Sequence, residues 1–176
     1  HYNGRLGYKV TRITLHIMAG YLTGTDSLFQ NPNRQASSTY GIGPNGEIHQ
    51  YVAESDAPWT DSNHASNCQT ISIEHQGGMD FIPCTQACHD ASARLCADIA
   101  RRYGWPKLVH GVNVFLHREI PGSDHTTCPD LAPHPRGEQC PGERHAQRPC
   151  PGREQDEHGP HPPAPPGPGP TTTTRS

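Results

Sequence analysis

Residues 115–130, FLHREIPGSDHTTCPD, place two imidazoles, a carboxylate and a thiol close together: His117, Asp124, His125 and Cys128. Two imidazoles plus one thiolate or carboxylate are the donor set of a catalytic Zn2+ that keeps its fourth position for water. The same residue types also make an ordinary polar loop, so the rest of the chain has to decide. Two further groups bear on it. His16 lies near the end of KVTRITLHIM and Glu74 near the end of TISIEH. Like His117, each falls on the side of its segment opposite the aliphatic residues. Cys128 follows a loop back from His117 and can close a site without a CxxC pair. A carboxylate such as Glu74 beside zinc-bound water can accept its proton and leave hydroxide as the nucleophile.

These groups need elements to hold them. In residues 9–18, Val10 leads into Ile13, Leu15 and Ile17, which alternate with Thr14, His16 and Met18, the period of a strand with one apolar face. MAGYLTGTDS reads as a turn, and residues 26–37 as a polar stretch with a short helix. TYGIGPNGEIHQYV reads as a hairpin with strands near 39–43 and 47–52 and a Pro44-Asn45-Gly46 turn. Residues 70–75 alternate again, Ile71 and Ile73 opposite Ser72 and Glu74. Ala91, Leu95, Ile99 and Tyr103 recur at helical spacing over 85–103, and Gly104 and Pro106 stop that helix. A last strand is expected over 111–119, with Val112, Val114 and Leu116 opposite Asn113, Phe115 and His117. Strands mixed with helices indicate an α/β domain around one sheet.

Composition sets the limits of that domain. Only 31% of the 176 residues are hydrophobic and mean hydropathy is -0.79, but the deficit is uneven. Residues 132–176 hold twelve of the nineteen prolines and no Val, Ile, Leu, Met, Phe, Trp or Tyr. Such a segment buries too little apolar surface to offset the entropy of ordering it. It reads as a disordered Pro/Gly-rich tail or linker, which leaves residues 1–131 as one domain. A net charge of -3 with no basic stripe argues against a nucleic-acid partner. No apolar run reaches the roughly 18–20 residues of a membrane span. No signal-peptide pattern opens the sequence. Seven cysteines, an odd number without a CxxC pair, favour neither a complete disulfide framework nor a four-cysteine zinc module. Cys84, Cys88 and Cys96 read as small, partly buried residues in or beside the helix.

Four blocks in order, ITLHIMAG, SSTYGIGPNGEIHQYV, ISIEHQGG and LHREIPGSDHTTCPD, resemble the zinc-dependent N-acetylmuramoyl-L-alanine amidases, which include phage endolysins, bacterial wall amidases and animal peptidoglycan recognition proteins. The resemblance covers about residues 8–131. It implies a single mixed β-sheet flanked by helices, with one Zn2+ per chain held by His16, His117 and Cys128. It makes Glu74 the carboxylate acting on zinc-bound water, and Thr126, two residues before the third ligand, a group facing the substrate carbonyl. His125 stays open as a rival ligand, and Asp124 reads as a loop residue. Tyr40 either packs beneath the site or touches substrate. Trp59 either covers an edge of the core or stacks on a sugar.

The implied reaction is hydrolysis, by zinc-bound hydroxide, of the amide between N-acetylmuramic acid and L-alanine in bacterial peptidoglycan. The partner would be the cell wall, reached by secretion or phage delivery, and the protein a monomer with no nucleic-acid or membrane partner. A peptidoglycan-binding module that does not cut is the alternative. Non-catalytic relatives typically lose a zinc ligand, whereas His16, His117 and Cys128 are all kept here. A purely structural zinc domain fits less well, since structural zinc usually has four protein ligands. Some positions depart from the family. IPGSD looks inserted between His117 and Cys128, Asp130 stands where many members have Gly, and the tract after it does not read as the helix that usually follows.

Overall fold

The computed structural model describes residues 1–129; the expected tail and the domain boundary drawn at 131 lie outside the described residues. In chain order the elements are β1 (Tyr2–Gly4), β2 (Arg12–Ile17), α1 (Leu22–Gln30), β3 (Tyr40–Ile42), β4 (Ile48–Gln50), β5 (Asp56–Pro58), α2 (His64–Gln69), β6 (Thr70–His75), α3 (Gln86–Arg102) and β7 (Val114–Leu116). A 3-10 turn, His117–Glu119, follows directly. Five strands form one sheet in the order β4-β3-β6-β2-β7, while β1 and β5 pair separately. β2 runs parallel to β6 and β7, β3 parallel to β6 and β4 antiparallel to β3, so the sheet is mixed.

The central strands explain why the sheet has two unlike faces. Ile13, Leu15 and Ile17 stand beside Ile71, Ile73 and His75 in register. Facing residues of paired strands point to the same side, so one side collects isoleucines. Together with Ile42 they form the core with Cys88, Ala91, Cys96 and Ile99 of α3. Thr85 caps α3 by accepting the Cys88 N–H. His75 also faces α3, where its imidazole bonds the His16 carbonyl (2.7 Å) and the Ser92 hydroxyl (2.8 Å). Burial pushes its pKa down to about 4 and keeps it neutral. Cys84, Cys88 and Cys96 are buried and free, in keeping with their reading as small packed residues.

The opposite face is polar yet buried. Thr14, Thr70, Ser72 and Asp61 are fully inaccessible, and hydroxyls satisfy one another there: Thr14 with Thr70 at 2.7 Å and Ser38 with Ser72 at 2.9 Å.

Several elements differ from the sequence reading. The stretch read as a turn at 18–27 contains the start of α1. Its Thr-Gly-Thr-Asp-Ser run has weak helix propensity, and its N-terminus is held by Gln76, 54 residues away, whose side-chain oxygen accepts the Leu22 N–H at 2.9 Å. A cap supplied from the residue just past β6 has no local signature. The short α2, capped by Asn63 accepting from Ser66 N–H, and the β1–β5 pair were not expected. β7 is shorter than 111–119, and His117 begins the 3-10 turn instead of sitting within the strand. Glu119 pins that turn by accepting the Leu116 N–H at 2.8 Å.

Candidate metal centre

Parallel pairing of β2 with β6 puts His16 directly beside Glu74. Pairing of β2 with β7 ends at Leu15–Leu116, so His117 leaves the sheet next to His16. The two imidazole rings lie 4.3 Å apart between centroids. The loop from the 3-10 turn then returns to the sheet. Arg118 N–H bonds the Cys128 carbonyl at 3.0 Å, and the Ile17 N–H donates to Cys128 Sγ at 3.4 Å. One ligand atom each from His16, His117 and Cys128 lies within 4.8 Å of the other two, and all three residues are buried.

Whether these residues suit a metal can be judged from their unused atoms. His117 Nε2 is buried with no hydrogen-bond partner, an expensive arrangement unless something else binds it. His16 engages only Nε2 with protein oxygens, Asp61 Oδ1 at 3.1 Å and Thr60 Oγ1 at 3.2 Å, and Nδ1 faces Glu74 Oε1 at 4.0 Å. Two nitrogens and a thiolate sulfur suit Zn2+ with one open position. The residues fit that ion.

The two imidazoles differ in how strongly they hold a proton. Burial works against a charge on His16, but hydrogen bonds with Asp61 and Cys128 and the nearby Glu74 outweigh it and hold its pKa up at about 10. Burial, reinforced by His16 and His125, pushes His117 down to about 4. Glu74 retains 17% of its side-chain exposure, while its Oε2 is buried and unpartnered. Burial raises its pKa against the opposing pull of His16 and His125, so it binds a proton more readily than an ordinary surface carboxylate.

The other expected site residues divide. Thr126 is exposed on the turn that carries Cys128, its N–H bonded to the Asp124 carbonyl at 3.1 Å. His125 stacks on His117 with centroids 4.5 Å apart and is 57% exposed; it is not one of the three clustered ligands. Trp59 places its ring against His1, 5.5 Å between centroids.

Tyr40 packs on the core side of the sheet, opposite the face that carries Glu74. It pairs with Ile73 and therefore faces α3, where its hydroxyl donates to Glu54 at 2.7 Å. Its neighbour Gly41 pairs with Glu74, and an added Cβ there would lie 2.7 Å from the Tyr51 hydroxyl. The aromatic covering the Glu74 side of β3 is therefore Tyr51, held by Asp26 of α1 at 2.7 Å. Choosing between two tyrosines eleven positions apart required the strand register, which a short Gly-rich hairpin specifies weakly.

Asp61 was also missed. WTDSN reads as a loop, and nothing in its spacing links it to a histidine 45 residues earlier.

Fold and site together define a mixed-sheet protein with a His/His/Cys cluster beside a strand carboxylate. The profile of the Amidase_2 family, N-acetylmuramoyl-L-alanine amidase, matches residues 6–131, and the chain belongs to that family. It is 39% identical over 98 residues to N-acetylmuramoyl-L-alanine amidase A of Achromobacter lyticus, a match covering 54% of each chain. The chain thus spans about half the length of that curated relative. Among solved structures it resembles an AmpD selenomethionine derivative, with a TM-score of 0.58 and 22% identity over 70% of this chain and 80% of that one. It also resembles AmpDh3 from Pseudomonas aeruginosa, solved in complex with an anhydromuramic pentapeptide. There the TM-score is 0.50 and the identity 22%, over 68% of this chain and 53% of that one. No helix among the described residues is long and apolar enough to cross a membrane.

Proposed function

We propose that this chain is a zinc-dependent N-acetylmuramoyl-L-alanine amidase that hydrolyses the bond between the lactyl group of N-acetylmuramic acid and L-alanine in bacterial peptidoglycan. The observation that carries the reading is the convergence of His16, His117 and Cys128 within 4.8 Å beside a carboxylate with a free oxygen. Membership of the amidase family, and a related fold solved with an anhydromuramic pentapeptide, support the substrate class.

In this reading His16, His117 and Cys128 would hold one Zn2+. The ion supplies Lewis acidity at neutral pH without redox chemistry. Glu74 takes the proton of the attacking water at Oε2 and returns it to the departing L-alanine nitrogen. Its raised pKa suits both halves of that transfer. The Thr126 hydroxyl donates to the carbonyl oxygen as negative charge develops there. Tyr51 and Leu22 of α1 pack over Gly41, the residue paired with Glu74.

Digestion of purified walls tests the proposal. Release of stem peptides with a free L-alanine amino terminus, abolished by chelation and restored by zinc, is the expected result. Wall binding without such release would favour a recognition module instead.

A further inference from the structure

Asp61 is the one carboxylate among the described residues that is fully inaccessible to solvent, and the proposed mechanism does not use it. Burying an ionised group is costly unless its oxygens are all engaged, and here each has a defined partner. Oδ2 accepts from the Thr14 hydroxyl at 3.1 Å and the Ser66 hydroxyl at 2.5 Å. Oδ1 is left for His16 Nε2 at 3.1 Å. The main chain is fixed as well, since the Asp61 N–H donates to the Asn67 side chain at 2.8 Å. Thr14 in turn contacts Thr70 at 2.7 Å, which anchors the network in β2 and β6.

An acceptor held this firmly settles which nitrogen of His16 keeps its hydrogen when a metal displaces the other. A carboxylate can only accept, so the proton must sit on Nε2. Nδ1, which faces Glu74 Oε1 at 4.0 Å, is then the nitrogen that gives up its proton and offers a lone pair to the ion. We infer that Asp61 is a positioning residue of the metal centre: it fixes the Nε2–H tautomer and ring angle of His16 so that Nδ1 binds the ion. The buried hydroxyls of the polar face therefore have a purpose beyond satisfying one another, because they orient the carboxylate that orients the ligand. Ligating histidines commonly hand their second N–H to a carboxylate, and loss of such a partner costs about 10–100-fold in metal affinity.

The inference rests on the proposed metal site, and the test separates the two. Zinc affinity is measured by chelator competition on the full chain for wild type, Asp61→Asn and Ser66→Ala, with thermal melts alongside. Nitrogen-15 NMR of the zinc-loaded wild type reports where the His16 proton resides. Asp61→Asn should melt cooperatively and lose about 10–100-fold in zinc affinity. Ser66→Ala removes one bond to Oδ2 but leaves Oδ1 for His16, and should lose less zinc affinity than Asp61→Asn. The NMR spectrum should show the proton on Nε2. A folded Asp61→Asn that binds zinc as tightly as wild type overturns the assignment, and so does a His16 proton on Nδ1, a readout that stands even if the variant fails to fold. A wild type that binds no zinc would overturn the metal centre itself, and the role of Asp61 with it.

Discussion

The two faces of the five-stranded sheet are built from the same strands and obey opposite rules. Toward α3, Ile13, Ile71, Ile73 and Ile42 are fully buried and pack against Cys88, Ala91 and Ile99. On the other face Thr14, Ser72 and Thr70 are equally buried, but they are joined by hydrogen bonds. An apolar face is stabilised by area removed from water and tolerates approximate shape. A buried polar face holds only if each group has its partner, which makes it rigid and sensitive to single changes. Metal chemistry needs the second kind. One strand supplies both because consecutive residues point to opposite sides, so Leu15 belongs to the core and His16 to the site.

The contrast predicts that changes on the two faces will fail in different ways. The largest effect belongs to the polar face. Glu74→Gln keeps the shape of the side chain but cannot take a proton, and should lose about 10²–10⁴-fold in turnover on intact walls with zinc and melting point retained. Turnover near wild type with zinc bound would remove Glu74 from the proton path. On the apolar face, Ile73→Ala should cost about 2–5 kcal/mol of stability in denaturant unfolding, while the folded fraction cleaves at close to the normal rate. If the rate per folded molecule collapses instead, the two faces are not separable.

Acid tests an imidazole that lies on the apolar side of the sheet. His75 has a folded pKa of about 4 against about 6.5 when unfolded. Between those values the unfolded chain binds a proton that the folded chain refuses, so stability falls as pH falls through that window. The slope from this group is at most about 1.4 kcal/mol per pH unit. Unfolding curves of wild type and His75→Gln at several pH values from 7 to 4 check it, the variant showing the shallower dependence.

Tyr40→Phe gives the smallest effect. It deletes the hydrogen bond to Glu54 on the α3 side and should cost about 1 kcal/mol, leaving wall cleavage unchanged. A large drop in turnover would return Tyr40 to the substrate side.

What could be read in the sequence follows the same division. Alternation in residues 9–18 and 70–75 marks the two central strands, their buried faces, and His16 and Glu74 on the other side. The spacing of Ala91, Leu95 and Ile99 marks α3. These signals are local and periodic, so one chain suffices. The features that escaped depend on contacts across long separations: α1 is capped by Gln76, Asp61 reaches His16, and Tyr51 covers Gly41. Tyr40 keeps two readings in the sequence, packing or substrate contact, because only the register of β3 against β6 fixes its direction. His117 was read as a strand residue, although it opens the 3-10 turn that lets the loop bring Cys128 back.

The central claim is that His16, His117 and Cys128 hold a zinc ion at which the amide is cut, and zinc bound per chain at a fixed chelator concentration tests it most directly. Wild type should retain one zinc. Cys128→Ser replaces a thiolate with a neutral hydroxyl, a far poorer ligand, and should lose most of the metal while the core formed against α3 keeps the chain folded. Full occupancy in Cys128→Ser under the same conditions would contradict the ligand set and point to His125, stacked 4.5 Å from His117, as the third ligand.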